Sequence, residues 1–434
     1  MNCSIFGKQT NQYNMDVAIP FESLSVSEDW TFKNVKSTEQ WTHGYHRYPA
    51  KFLPNIVKKI IEDYTKEGDV VADLFAGCGT TLVESKIHGR KSVGVDINPV
   101  AQLIARVKTQ PIDPKELDRV FKDLVNSLEF YDEKNYHNIE KHDRIDYWFF
   151  PENKYRIAYL YDLISGLPES QKIKDFFLVA LSHILKNCSR WLQTSTKPQI
   201  DPDKVPVSVF FAFKKQVKTM IRKNSDFFKE LKKLQYSNVE SQIFLQDARK
   251  TEIEDSSIST VITSPPYVTS YEYADLHQLT GYWFDYVSNL LEFRKNFIGT
   301  FYSYGTELKT ESKTAQDLID QLKNIHLRTA KEVANYFNDM KMVADEMYRI
   351  LKNDGYAFIV IGNTTFKNVK ILSAEIFSEL LELSGFEVHD VIKRSIPHKL
   401  IPTIRDKTTG KFTTVANKNS KKVYPEEYII IARK

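Results

Sequence analysis

Apolar positions along this chain change their spacing several times, and each change marks an element. Residues 53–67 repeat with helical spacing and place Ile56, Ile60, Ile61 and Tyr64 on one face. The run Asp69-Val70-Val71-Ala72-Asp73-Leu74-Phe75 reads as a buried strand, and Gly77 and Gly79 as a tight turn. Thr81 to His88 predicts the next helix, Ser92 to Asp96 a second strand, and Asn98-Pro99 the opening of a third helix. Two strands joined through a helix in this way run parallel, because the crossover needs the helix to return the chain.

The pattern then changes. From Asp113 to Leu234 it is mostly helical, broken at Pro151, Pro168, Pro198, Pro202 and Pro206. Strands return at 242–247 and 259–263, a polar and aromatic stretch fills 268–335, and a helix is expected at 340–351. Three further strands follow at 356–361, 386–392 and 427–432, the last two without a clear helix between them. The expected fold is α/β: a Rossmann-like, mostly parallel seven-stranded sheet with a terminal antiparallel hairpin, plus a largely helical insertion. The corresponding division is an N-terminal extension at 1–40, a cofactor-binding part at 41–111, a helical insertion at 112–240 and a catalytic part at 241–434, with a second insertion at 268–335.

The 434 residues exceed one ordinary core of about 100–200 residues, so one domain with a large insertion, or two domains, is expected. A hydrophobic share of 42% suits a packed chain, with disorder expected only near Gln9 to Tyr13. The net charge of +4 neither requires nor excludes nucleic acid; the placement of the cations matters more. Cys3, Cys78 and Cys188 form no CxxC pair, which argues against a disulfide framework or a structural zinc, and no metal is expected. The start lacks a secretory apolar core and no apolar run approaches the roughly 20 residues of a membrane span, so a cytoplasmic protein is expected.

Chemistry concentrates at strand ends. After the strand ending near Asp73, Phe75-Ala76-Gly77-Cys78-Gly79-Thr80-Thr81 lets the backbone turn sharply beside a ligand. Asp96, at the tip of the next strand, can accept two hydrogen bonds from a ribose diol. A nicotinamide fold would share most of this but would usually place a third glycine where Leu82 stands, and no GK[ST] follows, which rules out a P-loop. Asp247 ends a later strand and could accept from an adenine amine, although an acid at a strand end is common.

Thr263-Ser264-Pro265-Pro266-Tyr267 directly follows an apolar strand. This peptide resembles the [D/N/S]-P-P-Y motif of the amino-group DNA methyltransferases, in the serine form typical of the N4-cytosine branch. The family's DxFxGxGTT loop is matched by Asp73, Phe75, Gly77, Gly79, Thr80 and Thr81, and its P-A-K-F segment by His46 to Phe52. The resembling blocks cover 41–111, 242–275 and 340–434. The resemblance implies S-adenosylmethionine as methyl donor, double-stranded DNA as substrate and a flipped-out base. It leaves open a cognate restriction endonuclease acting separately. The implied cofactor contacts are Tyr48, Pro49, Ala50, Lys51 and Phe52; Asp73, Phe75, Ala76, Gly77, Cys78, Gly79, Thr80 and Thr81; Asp96 and Ile97; and Asp247 and Ala248.

An aromatic exocyclic amine is a poor nucleophile because its lone pair is delocalised into the ring. Two acceptors on its hydrogens pull the nitrogen toward tetrahedral geometry. These roles fall to Ser264 Oγ and the Pro265 carbonyl, with Pro265 and Pro266 stiffening the turn and Tyr267 offering a stacking face. Adenine N6 is the alternative target, since the adenine branch more often has Asp at the position of Ser264. An inactive, DNA-binding member of the fold is the alternative of another class.

Basic residues cluster twice: eight between Lys214 and Lys233, and eleven from Lys393 to Lys434, including the loop Lys407-Thr408-Thr409-Gly410-Lys411. Such runs suit phosphate contact, although most charge runs are solvated faces. Trp191 to Lys204, polar and proline-bent, is a candidate DNA-facing loop. Tyr271 and Tyr273 are candidates to clamp the base, and the neighbouring Tyr282, Trp283 and Phe284 add aromatic density.

Overall fold

The computed structural model describes residues 20–35, 37–268, 273–300, 307–397, 404–406, 413, 416–422 and 425–434. Gln9 to Tyr13, Tyr271 and the Lys407–Lys411 loop lie outside the described residues.

Seven strands form one sheet: β1 (Val70–Asp73), β2 (Lys91–Asp96), β3 (Ser241–Leu245), β4 (Ile258–Thr263), β5 (Leu351–Ile361), β6 (Glu387–Ser395) and β7 (Glu426–Arg433), in the spatial order β3-β2-β1-β4-β5-β7-β6. The pairs β3–β2, β2–β1, β1–β4 and β4–β5 are parallel, whereas β7 runs antiparallel to both β5 and β6. This is the expected mostly parallel sheet with an antiparallel close. Between β6 and β7, Ile404–Asp406 and Ser420–Lys422 pair as a small ribbon.

Alternation along the strands divides the core. In β5, Ala357, Ile359 and Ile361 face one layer while Phe358 and Val360 face the other; β7 repeats this with Tyr428 and Ile430 against Ile429 and Ile431. The first layer is covered by helices Lys313–Ile325, Leu327–Ile350 and Ser373–Leu383, the second by α1 (Pro54–Tyr64) through Ile56, Val57, Ile60 and Ile61. Helix α2 (Thr80–Ile87) connects β1 to β2, and α3 (Pro99–Thr109) leaves β2 with Asn98 as its cap, accepting from the Val100 amide at 3.0 Å.

The first insertion is helical as expected, but it is not a separate body. Its apolar core runs from Val100, Leu103 and Ile104 of α3 through helices Gln171–Cys188 and Val209–Lys233 to Trp283, Phe284 and Val287. Of the aromatics after the proline corner, Tyr282, Trp283 and Phe284 thus fill this core, and Trp283 is fully buried.

The stretch 268–335 corrects the expectation most. A helix was expected only from 340, yet one helix spans Leu327–Ile350. Its buried Ala330, Val333, Ala334, Phe337 and Met340 carry the helical period, which the interleaved Lys331, Glu332, Asn335, Asn338 and Asp339 obscure in the sequence.

Candidate active site

The carboxyl ends of β1, β2 and β4 converge on one cavity, open to solvent on one side. Its lining includes Tyr48, Ala50, Lys51, Phe52, Asp73, Phe75, Ala76, Gly77, Cys78, Thr80, Asp96, Ile97, Asp247, Ala248, Ser264 and Pro266. The glycine turn and the proline corner, 187 positions apart from Gly77 to Ser264, therefore share one hollow. Pro49, Gly79, Thr81, Pro265 and Tyr267 are not on its wall.

The glycine turn is built by conformation and close approach. Gly77 has φ +50°, and a Cβ there would lie 3.3 Å from the Tyr48 ring. Gly79 has φ +79°, and its Cβ would meet Ala105 of α3 at 2.8 Å, so this glycine serves packing rather than the cavity. Tyr48 is braced in turn by His277, whose ring centroid lies 4.8 Å away. Burial drops His277 to about 4, so it stays neutral, and its Nδ1 pairs with the Asn98 amide at 2.9 Å. Ala50, in the segment before α1, sits at φ +54°. A non-glycine residue in the left-handed region stores strain and marks a constrained wall.

Three carboxylates were expected to face the cofactor, and each also holds the protein together. Asp73 is buried; it accepts from Thr263 Oγ1 at 2.7 Å, Thr81 Oγ1 at 2.7 Å and the Phe75 amide at 3.0 Å. It acts as a staple between the turn, α2 and β4. Asp96 accepts from the Gly77 and Asn98 amides, both at 2.8 Å, and burial pushes it up to about 6 against those bonds. Each of its oxygens keeps a further lone pair. Asp247 lies just past β3 and is forked by Arg249, which also reaches Asp339 Oδ1 at 2.8 Å.

That fork carries a wall absent from the sequence reading. Asp339 Oδ2 accepts from the Gly299 amide at 2.9 Å, and Arg249 reaches the Asn296 carbonyl at 3.4 Å. Asn296, Phe297 and Ile298 thereby line the cavity, with Leu74, Asn98 and Tyr273 as further residues not named as cofactor contacts. The only signal for the wall was the apolar pair Phe297-Ile298 inside a polar stretch, which no spacing singles out.

At the proline corner the Ser264 hydroxyl donates to the Val360 carbonyl at 3.0 Å. Its proton is thus engaged, and the oxygen lone pairs remain for an incoming N–H. The Pro266 carbonyl accepts from Tyr336 Oη at 2.8 Å, while no described residue donates to the Pro265 carbonyl. Tyr267 donates to Glu427 Oε2 at 2.9 Å.

The basic clusters fare unequally. On Val209–Lys233, Lys215, Lys218, Arg222 and Lys229 are exposed. In the second cluster several cations are taken up internally: Lys393 pairs with Glu426, Arg394 with Glu427 and Arg433 with Asp354, and Lys434 donates to the Tyr348 and Leu351 carbonyls. A phosphate-binding role for those four is not supported, because ordering the sheet edge already uses their charge. Trp191 to Lys204 is a stapled hairpin rather than a simple loop. Trp191 bridges Ile200 and stacks on Trp148 at 5.0 Å, and Lys204 Nζ donates at 2.7 Å to the carbonyls of Lys186 and Trp191. Gln193, Thr194, Lys197 and Gln199 point outward.

Residues 8–106 and 258–434 match the family described as DNA methylase, of the N6/N4 type. The interval between the two matched parts, 107–257, takes in the helical insertion together with β3 and Asp247. The chain is 30% identical over 401 residues to the Type II methyltransferase M.MvaI of Kocuria varians, covering 85% of this chain and 87% of that protein. Against the Type II methyltransferase M.AvaI of Nostoc sp. it is 24% identical over 467 aligned positions, covering 96% of this chain and 92% of that protein.

Proposed function

Because the chain belongs to the N6/N4 DNA methylase family, we propose that it methylates the exocyclic N4 amine of cytosine at a specific site in double-stranded DNA. The methyl donor is S-adenosylmethionine, which supplies a methyl already activated on a sulfonium. The residues present suit it. The cavity lies at the carboxyl ends of parallel strands, a Cβ at Gly77 would crowd the Tyr48 ring at 3.3 Å, and Phe75, Ile97, Phe297 and Ile298 give apolar walls beside the Asp96 carboxylate.

One observation carries the reading: Ser264 faces the same cavity as the glycine turn, with its hydroxyl proton held by Val360. Ser264 Oγ and the Pro265 carbonyl accept from the two amine hydrogens, and the fixed φ of both prolines keeps these acceptors aimed without reorganisation. Orientation of this kind supplies up to about 7–11 kcal/mol of a barrier. The amine needs no strong base, since its proton becomes acidic only after the nitrogen has attacked. The target base leaves the duplex to reach the corner and stacks on Tyr267. Duplex contact falls to the outward residues of the Trp191–Lys204 hairpin and the exposed cations of Val209–Lys233.

Serine, rather than aspartate, before the two prolines favours cytosine N4 over adenine N6. The relatives' designation as Type II methyltransferases supports a place in a restriction-modification pair, with a separate endonuclease reading the same site in the cytoplasm. Digesting DNA to nucleosides after incubation with methyl-labelled donor tests the reading. Label in N4-methylcytosine supports it, label in N6-methyladenine replaces the base assignment, and no label across varied DNA favours an inactive DNA-binding protein.

A further inference from the structure

Tyr267 ends the proline corner half-buried and off the cavity wall. Its phenol donates to Glu427 Oε2 at 2.9 Å. Glu427 stands near the start of β7, directly across from Arg394 of β6, and its other oxygen is ion-paired with that guanidinium. Arg394 is only 2% exposed; its Nε donates to the Trp30 carbonyl at 2.6 Å and its Nη2 to the Thr31 carbonyl at 3.4 Å. A third brace is Gly362, just past β5, where a Cβ would lie 2.9 Å from Tyr267 Cε2.

We propose that Glu427, backed by Arg394, is a positioning residue that fixes the Tyr267 ring as the platform for the extruded base. This rests on the DNA-methylation reading above. The physical argument is preorganisation. An unanchored tyrosine ring would have to be ordered when the base arrives, whereas a phenol already bonded to a charged acceptor is ordered beforehand. Glu427 alone would be a poorly compensated buried charge, and Arg394 supplies the compensation. The same guanidinium grips Trp30 and Thr31, so the N-terminal segment stiffens the platform. Tyr267 does not act as a proton carrier here, because burial and the facing Glu427 hold its hydroxyl well above the usual tyrosine range.

The test compares Glu427→Ala, Glu427→Gln and Tyr267→Phe with the wild-type chain on its target duplex. It reads kcat, KM for DNA, the fluorescence of 2-aminopurine at the target position, affinity for S-adenosylhomocysteine and the thermal midpoint. Glu427→Ala and Tyr267→Phe should each lower kcat/KM for DNA about tenfold and alter the 2-aminopurine signal, with cofactor affinity unchanged. Glu427→Gln, which keeps an acceptor for the phenol, should recover most of the loss. Wild-type turnover in Glu427→Ala overturns the proposal, as does a parallel loss of cofactor affinity and thermal midpoint that Gln does not rescue. Failure of the wild-type chain to methylate any DNA instead overturns the enzymatic reading, and the proposal falls with it.

Discussion

Thr263 Oγ1 donates to Asp73 Oδ1 at 2.7 Å, joining the end of β4 to the end of β1 one residue before the proline corner begins. β1 and β4 are neighbours in the sheet, so this bond holds Ser264 at a fixed offset from the glycine turn. Asp73 thereby has a second role beside lining the cavity, that of setting the distance between two halves of a site.

Removing that donor isosterically tests the offset. Thr263→Val leaves Asp73 buried with one partner fewer, which should cost about 1–3 kcal/mol of stability. Turnover should fall more than cofactor affinity, because the turn keeps its Thr81 and Phe75 bonds to Asp73. Denaturant midpoints, donor-analogue titration and kcat on one preparation check this.

Asp96 predicts a pH signature. Burial pushes its carboxyl up to about 6, above the ordinary value of about 3.9, so the folded chain keeps a proton that the unfolded chain has released between those values. Its contribution to the stability of the ligand-free fold is therefore lost as pH rises from about 4 through 6. Donor binding should move the other way: the ionised carboxylate accepts from ribose hydroxyls, so affinity falls as pH drops through about 6. Calorimetric titration with S-adenosylhomocysteine between pH 5 and 8, flanking that value, checks it, and Asp96→Asn should flatten the profile.

Much of the sheet was legible because β1, β4, β5 and β7 carry continuous apolar runs such as Val70-Val71-Ala72 and Tyr428 to Ala432, with turn residues or acids beside them. All seven were expected close to where they lie, including the antiparallel close. The glycine loop, Asp96 and Ser264 were legible for a related reason: they sit at strand ends, where local sequence fixes position. Helix Leu327–Ile350 was only partly legible, since polar residues interrupt its buried stripe. The wall at Asn296 to Ile298 was not legible, because it is held through Arg249 and Asp339, partners distant in the chain. Composition also misled at the C-terminus, where Lys393 and Arg394 read as surface charge but are 8% and 2% exposed.

Gly79 and Gly68 separate packing from conformation. Both have positive φ, but a Cβ at Gly68 meets nothing within 4 Å, whereas at Gly79 it lies 2.8 Å from Ala105 Cβ and 2.9 Å from its Cα. Gly68→Ala should cost about 1–2 kcal/mol for the left-handed backbone. Gly79→Ala adds overpacking of about 1–3 kcal/mol and should also disturb the turn. Equal denaturant midpoints for the two variants would contradict the assignment of Gly79 to the α2–α3 contact.

The Asn296–Ile298 wall predicts a purely cofactor-side phenotype. Asp339→Ala removes the acceptor for both Arg249 and Gly299 and should weaken donor-analogue binding about tenfold, equivalent to about 1.4 kcal/mol. At saturating donor, kcat should stay near the wild-type value. A lowered kcat with unchanged donor affinity would place Asp339 elsewhere in the mechanism.

The most direct test of the account compares Ser264→Ala with Asp96→Ala, measuring S-adenosylhomocysteine affinity by calorimetry and methyl transfer in a single turnover. Ser264→Ala should bind the analogue as the wild-type chain does and lose transfer by about 100-fold or more. Asp96→Ala should lose analogue affinity first. Equal loss of affinity in both variants, or undiminished transfer by Ser264→Ala, would contradict a site in which one strand end holds the donor and its neighbour activates the amine.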